Sequence, residues 1–267
     1  MNGLLAVAAV LAALAFIAWA LWPRAALPEG APRRAGRLRH PVVLAHGVLG
    51  FDEIAVGGRR HSYFRNIEAA LRRVGAECHH PRVPALGPVE DRAARLAELV
   101  GSVPGGRVNV IAHSMGGLDA RYAIARLGLS ARVASLVTIG TPHFGTPLAD
   151  LASKGLPRSV ARAVGDLTTD ALDRFNRDVP DAPGVLYCSV AARSALTATN
   201  PLLWPTHAFL SHRSGPNDGL VPTSSQRWGR VLREIDADHW AQIGWSRRFD
   251  AAALYEEILR ELAGFGF

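Results

Sequence analysis

Between Val108 and Gly117 the chain runs Val108-Asn109-Val110-Ile111-Ala112-His113-Ser114-Met115-Gly116-Gly117, and residues 118–127 after it have helical spacing. A short β-rich run feeding a helix through a turn this tight restricts the fold to an α/β class. Ala112 and Gly116 stand two residues to either side of Ser114. Side chains this small let the two backbones crowd together, so that a serine on the turn is lifted above the sheet edge. Its hydroxyl then lies beside a helix N-terminus, whose unpaired N–H groups can hold a developing negative charge. The same pattern of small residues around a serine also fits an ordinary turn, so the motif needs partners elsewhere before it implies chemistry.

The rest of the chain continues the alternation. Apolar runs bounded by Gly or Pro at 41–46, 77–83, 108–112, 133–139, 185–190 and 229–235 predict strands. Helical spacing predicts helices over 63–74, 90–100, 118–127 and 251–262, the first ended by Gly75. This order predicts one α/β domain over 41–267, a mostly parallel sheet with helices on both faces. Residues 148–173 interrupt it, being helical in character with no strand. They are read either as a short helical lid over the C-terminal ends of the strands or as a longer crossover.

Residues 3–22 form a run of 20 without a charge. That length spans a bilayer core, and with only Met1-Asn2 ahead of it there is no basic leader, so residues 1–22 are expected to be an N-terminal transmembrane anchor. The alternative is a secretory signal cleaved after Ala18-Trp19-Ala20. Residues 23–40, rich in Pro, Ala, Gly and Arg, read as a linker. Its arginines favour a cytoplasmic location for residues 41–267, whereas cleavage of a secretory signal would export them, and the side of the membrane stays open. The net charge of +7 is nearly all Arg and is spread along the chain with no nucleic-acid motif, so no nucleic-acid partner is expected. Two cysteines, Cys78 and Cys188, lack metal-ligand spacing and are read as buried thiols or as a single disulfide.

A serine nucleophile needs a base, and the base needs a carboxylate to orient it. On an open α/β sheet these come in the order serine, acid, histidine. His239 is the only histidine after Asp218, and Asp218 lies in the turn-rich stretch Gly215-Pro216-Asn217-Asp218-Gly219-Leu220-Val221-Pro222. Asp218 and His239 are therefore the expected acid and base. Asp236 and Asp238 are rival acids, too close to His239 in sequence to reach the far side of its ring. The oxyanion donors are expected from the amide of Met115 and, across the loop His46-Gly47-Val48, from that of Val48. His46 and His113 read as structural, and His143 as ordering the loop after its strand. No metal site and no cofactor are expected.

Four stretches together resemble the bacterial triacylglycerol lipases of the Pseudomonas–Burkholderia and Bacillus type: Val42-Val43-Leu44-Ala45-His46-Gly47, the Ser114 segment through Leu118, Ala134-Ser135-Leu136-Val137-Thr138-Ile139-Gly140-Thr141-Pro142-His143, and Asn217-Asp218-Gly219-Leu220-Val221. The resemblance covers about 41–239. It implies an α/β-hydrolase fold, a Ser114–Asp218–His239 triad, Val48 and Met115 as oxyanion donors, and hydrolysis of carboxylic esters of lipids or acylglycerols. The larger Pseudomonas-type enzymes hold calcium near the catalytic histidine; here Ala241 and Trp245 fall near the ligand places, and Thr199-Asn200-Pro201 brings no carboxylate. No structural calcium is expected. The alternatives are a membrane-associated phospholipase, lysophospholipase or acyltransferase on the same scaffold, and a membrane-tethered protein that only binds. Oligomeric state is not read from the sequence.

Overall fold

The computed structural model describes residues 38–48, 53–56, 59–152 and 158–267. The expected anchor at 1–22 and all but the end of the 23–40 linker lie outside them. Among the described residues no helix is long and apolar enough to cross a membrane.

Among the described residues, six strands make a parallel sheet: β1 (Val42–Ala45), β4 (Cys78–His79), β5 (Val108–His113), β6 (Val133–Ile139), β7 (Leu186–Arg193) and β8 (Arg230–Asp236). The strand order is β4-β1-β5-β6-β7-β8, every neighbouring pair parallel. β5 and β6 are buried throughout, which explains their unbroken apolar sequence: with helices on both faces there is no polar side to alternate with.

Successive side chains point to opposite faces of a strand. Val42 and Leu44 accordingly pack with α1 (Ile67–Arg73) and the C-terminal α8 (Ala251–Gly264), through Ile67, Leu71, Tyr255 and Leu259. Val43 and Ala45 pack on the other face with α2 (Val89–Gly101) and α3 (Gly116–Arg126), through Ala93, Leu96, Ala120 and Ile124. Cys78 and Cys188 are buried and free. Their strands are four spacings apart in the sheet, about 19 Å, well beyond the reach of a disulfide.

Two expectations need correction, and two elements were not read from the sequence. The strand expected at 77–83 shrinks to Cys78–His79, an edge position where little pairing is available. The helix expected from 63 begins at Ile67, because Asn66 takes a left-handed conformation (φ 62°) and delays the first turn. An antiparallel hairpin, β2 (Glu53–Val56) with β3 (Arg59–Ser62), and a helix α7 (Trp204–Ser214) lay outside the sequence reading. The 148–173 segment is helical as expected: α4 (Pro147–Ala152), α5 (Arg158–Gly165) and α6 (Thr169–Asp178) lie between β6 and β7, with 153–157 outside the described residues.

Candidate active site

Ser114 follows the last residue of β5, in the middle of the sheet. Its φ of 55° makes it, with Asn66, one of two non-glycine residues in the left-handed region among those described. That conformation costs about 1–3 kcal/mol and persists only where the surroundings enforce it. They do so here through three hydrogen bonds. Ser114 N donates to Ile139 O (2.9 Å), while Ser114 O accepts from Thr141 Oγ1 (2.7 Å) and from Gly117 N (3.0 Å). The neighbouring glycines have little room for a side chain. A Cβ on Gly116 would come within 2.7 Å of the carbonyl oxygens of Ala45 and His46, and one on Gly117 within 2.3 Å of Thr141 Oγ1.

His239 lies three residues past the end of β8, at the same rim. Its Nε2 is 3.0 Å from Ser114 Oγ, and its Nδ1 is 2.8 Å from Asp218 Oδ2. The structure thus brings together Ser114, Asp218 and His239, 125 positions apart at the extremes. A carboxylate at Nδ1 holds the hydrogen there and leaves Nε2 to accept the serine proton. The main chain reinforces the side chains, since His239 N donates to Asp218 O (2.8 Å).

Asp218 is fully buried, yet its charge is well met. Oδ1 accepts from the amides of Leu220 (3.0 Å) and Val221 (2.8 Å), and Oδ2 accepts from Gln242 Nε2 (2.8 Å) as well as from His239. The rival acids are elsewhere. Asp236 pairs with Arg193 on the surface (3.3 Å). Asp238 turns away from the ring, and its carboxylate accepts from the amides of Asn200 (2.8 Å), Trp240 (3.0 Å) and Ala241 (2.8 Å). Burial raises its pKa while those amides lower it.

The loop of Val48 lies against the serine: a Cβ on Gly47 would stand 2.7 Å from Ser114 Cβ. Two buried side chains fix that loop. Tyr63 Oη accepts from Gly47 N (3.3 Å) and lies 2.7 Å from His113 Nδ1. Arg92 of α2 donates to His46 O (2.8 Å) and pairs with Asp119 of α3 (2.7 Å), so one guanidinium joins this loop to the helix after Ser114. Burial pushes the Asp119 carboxyl up to about 7, with Arg92 opposing. Met115 is buried at the entry to α3. Among the described residues, the Val48 and Met115 amides have no hydrogen-bond acceptor. Val48 also packs on Met115, Leu118 and Leu172, together with Leu167 and Phe175 of the helical segment between β6 and β7.

Three further histidines serve the frame. His113 packs at 4.5 Å between ring centroids against His239, and burial holds its pKa well below the ordinary 6.5. His46 contacts Gly47 O through Nδ1 (3.0 Å). His143 sits between Thr138 Oγ1 (2.9 Å) and Arg121 (3.3 Å), ordering the loop after β6. Gln242, Tyr63 and Arg92 were missed in the sequence. They act across 16 to 50 positions, and no local pattern announces that.

Among the described residues no group of three His, Cys, Asp or Glu side chains could hold a metal. The carboxylate of Asp238 has its oxygens engaged by three amides, and Asp238 shares a cavity lining with Arg65, Arg247 and Arg248.

The sequence model described as "Alpha/beta hydrolase family" matches residues 42–266. The triacylglycerol lipase of Pseudomonas fragi is 28% identical over 291 residues, covering 85% of this chain and 97% of its own length. That of Vibrio cholerae is 29% identical, over 84% of this chain and 86% of its own. The mature lipase BlEst2 of Bacillus licheniformis has the same fold, with a TM-score of 0.69 at 21% identity, over 84% of this chain and 96% of that one.

Proposed function

The chain belongs to the alpha/beta hydrolase family, and on that premise we propose that it is a serine hydrolase that cleaves carboxylic esters of lipids or acylglycerols through Ser114, His239 and Asp218. The observation that carries the reading is the 3.0 Å contact between Ser114 Oγ and His239 Nε2, with Asp218 Oδ2 2.8 Å behind the ring. Similarity to triacylglycerol lipases over most of both chains supports ester hydrolysis.

His239 Nε2 takes the Ser114 proton as Oγ attacks the ester carbonyl carbon. Negative charge gathers on the carbonyl oxygen, and the amides of Met115 and Val48 receive it. The imidazolium formed in this step is stabilised by Asp218, which keeps the proton at Nδ1. His239 then protonates the leaving alcohol. A water activated by the same nitrogen releases the acyl group from Ser114. Substrates with acyl chains suit the apolar surroundings of Val48, Met115, Leu118 and Leu172. The helices α4 to α6 are proposed as a lid over that region, resting on Met115 and Leu118 through Leu172. The run at 3–22 is proposed as a membrane anchor, on its length and lack of charge; intact mass and fractionation of the mature protein test this part.

The test of the chemistry is Ser114→Ala. The variant should lose hydrolysis of p-nitrophenyl acyl esters and labelling by a fluorophosphonate probe. Turnover or labelling at the native rate would overturn the assignment.

A further inference from the structure

His113 ends β5 immediately before Ser114, buried, with its ring centre 4.5 Å from that of His239. Burial keeps the ring neutral near pH 7, so it carries one proton on one of its two nitrogens. The surroundings choose the nitrogen. Nδ1 lies 2.7 Å from Tyr63 Oη, a hydroxyl that also accepts from Gly47 N (3.3 Å). Two further groups act on the ring as acceptors, the main-chain carbonyl of His239 and the side chain of Gln242. With Nδ1 against Tyr63, the nitrogen on their side is Nε2. Two acceptors there put the proton on Nε2 and leave Nδ1 to accept from the Tyr63 hydroxyl.

The position of that proton bears on Gln242. Gln242 Nε2 donates to Asp218 Oδ2 (2.8 Å). An amide keeps its shape when its oxygen and nitrogen exchange places, so its hydrogen bonds, and not its outline, decide which of them faces Asp218. At the other side of the amide, Gln242 Oε1 is buried, as is His113 Nε2, and neither makes a hydrogen bond of full geometry among the described residues. One is an acceptor, and the other is a donor in the tautomer set by these surroundings. A buried polar atom left unmet is costly, and each of the two is what the other needs.

We infer that His113 is a positioning residue: as the Nε2–H tautomer it donates to Gln242 Oε1 and so holds the Gln242 amide with its NH₂ on Asp218. A line of polar groups then runs from Gly47 N through Tyr63, His113 and Gln242 to Asp218, joining the loop of the oxyanion hole to the acid of the triad. In the other tautomer Nε2 presents a lone pair to Oε1. That favours the amide turned about, with an oxygen against the Asp218 carboxylate. The inference rests on the Ser114–Asp218–His239 reading and adds what keeps its acid in place.

Nitrogen NMR of the histidine-labelled full chain reads the tautomer with no substitution and no turnover. His113 should show a protonated Nε2 and a bare Nδ1, and a protonated Nδ1 would overturn the inference. Its signals are assigned by their absence from His113→Gln, or by contacts with the His239 ring where that variant does not fold. Kinetics on p-nitrophenyl butyrate supply the second readout. Gln places its amide near where Nε2 stood and keeps a donor towards Gln242, whereas Asn reaches only the place of Nδ1. His113→Asn should lower kcat roughly tenfold with KM little changed, on the scale of a lost hydrogen bond to a charged group, and His113→Gln should recover most of it. Because His113 acts through Gln242, His113→Asn/Gln242→Leu should match Gln242→Leu alone within about twofold. Losses that multiply in the double variant, or equal losses in the Asn and Gln variants, would mean that His113 only packs against His239 and would overturn the inference. Where His113→Asn does not fold, the tautomer decides. Native turnover by Ser114→Ala would instead be a failure of the triad reading, which the tautomer measurement does not depend on.

Discussion

Gln242 Nε2 donates to Asp218 Oδ2 at 2.8 Å, the same oxygen that faces His239 Nδ1. Gln242 is fully buried, and Gly140 leaves it room: a Cβ there would lie 2.2 Å from Gln242 Oε1. The amide therefore orients the carboxylate that orients the base. Gln242→Leu keeps the apolar bulk and removes the donor. Because a hydrogen bond to a charged group is worth about 1.5–3 kcal/mol, kcat on p-nitrophenyl butyrate should fall roughly 10- to 100-fold, with KM little changed. An unaltered kcat would mean that the Leu220 and Val221 amides hold Asp218 without it.

Gly47 is where the Val48 loop comes up against the nucleophile. In Gly47→Ala the new methyl would meet Ser114 Cβ at 2.7 Å and His113 O at 3.2 Å, so loop or serine must shift. A displaced oxyanion donor costs about 10²-fold or more in kcat. Steady-state kinetics and the rate of fluorophosphonate labelling should drop together, and native values for both would remove Val48 from the oxyanion hole.

Arg92 and Asp119 form a buried ion pair, each with a side chain at most 1% exposed. Removing one partner strands the other. Arg92→Met should destabilise the protein by about 3–5 kcal/mol, and the double variant Arg92→Met/Asp119→Leu should recover most of that. Chemical denaturation of both variants decides the matter, and a double variant no more stable than the single one would contradict it.

Stability should also fall with acidification through His46. Burial moves its pKa from 6.5 to about 4. A folded-state pKa below the unfolded one means that the unfolded chain binds the proton first. The contribution of neutral His46 is therefore complete above pH 6.5 and is lost as the pH falls towards about 4. The full difference is about 3 kcal/mol at 1.36 kcal/mol per unit. Asp119, raised to about 7, works in the opposite sense, so the informative quantity is the difference between wild type and His46→Gln. Melting curves from pH 7 to 4 should show a shallower loss in the variant, and parallel curves would exclude His46 as a source.

How much could be read in advance differs by residue. Strand β6 at Val133–Ile139 was legible to its ends, because a strand covered on both faces must be apolar throughout. Ser114 was legible because the crowding of its turn restricts the flanking residues to Ala112 and Gly116. Asp218 and His239 could be nominated by their order along the chain. Strand β8 was legible only approximately, since at the sheet edge its burial is partial. Helix α7 was not, because its hydrophobic spacing is weak and Pro205 sits in its first turn.

Residue order was enough to set the alternation of strands and helices, the serine turn, and which acid and which histidine were in contention. These are consequences of local sterics and of which side chains tolerate water. Only packing in three dimensions turned Asp236 to Arg193 and Asp238 to its neighbouring amides, and left Asp218 facing His239. Packing likewise brought Gln242, Tyr63 and Arg92 against the site and set three arginines around one cavity. Contacts of this kind join residues tens of positions apart, and their energy depends on distance and on exclusion of water, neither of which exists until the chain has folded.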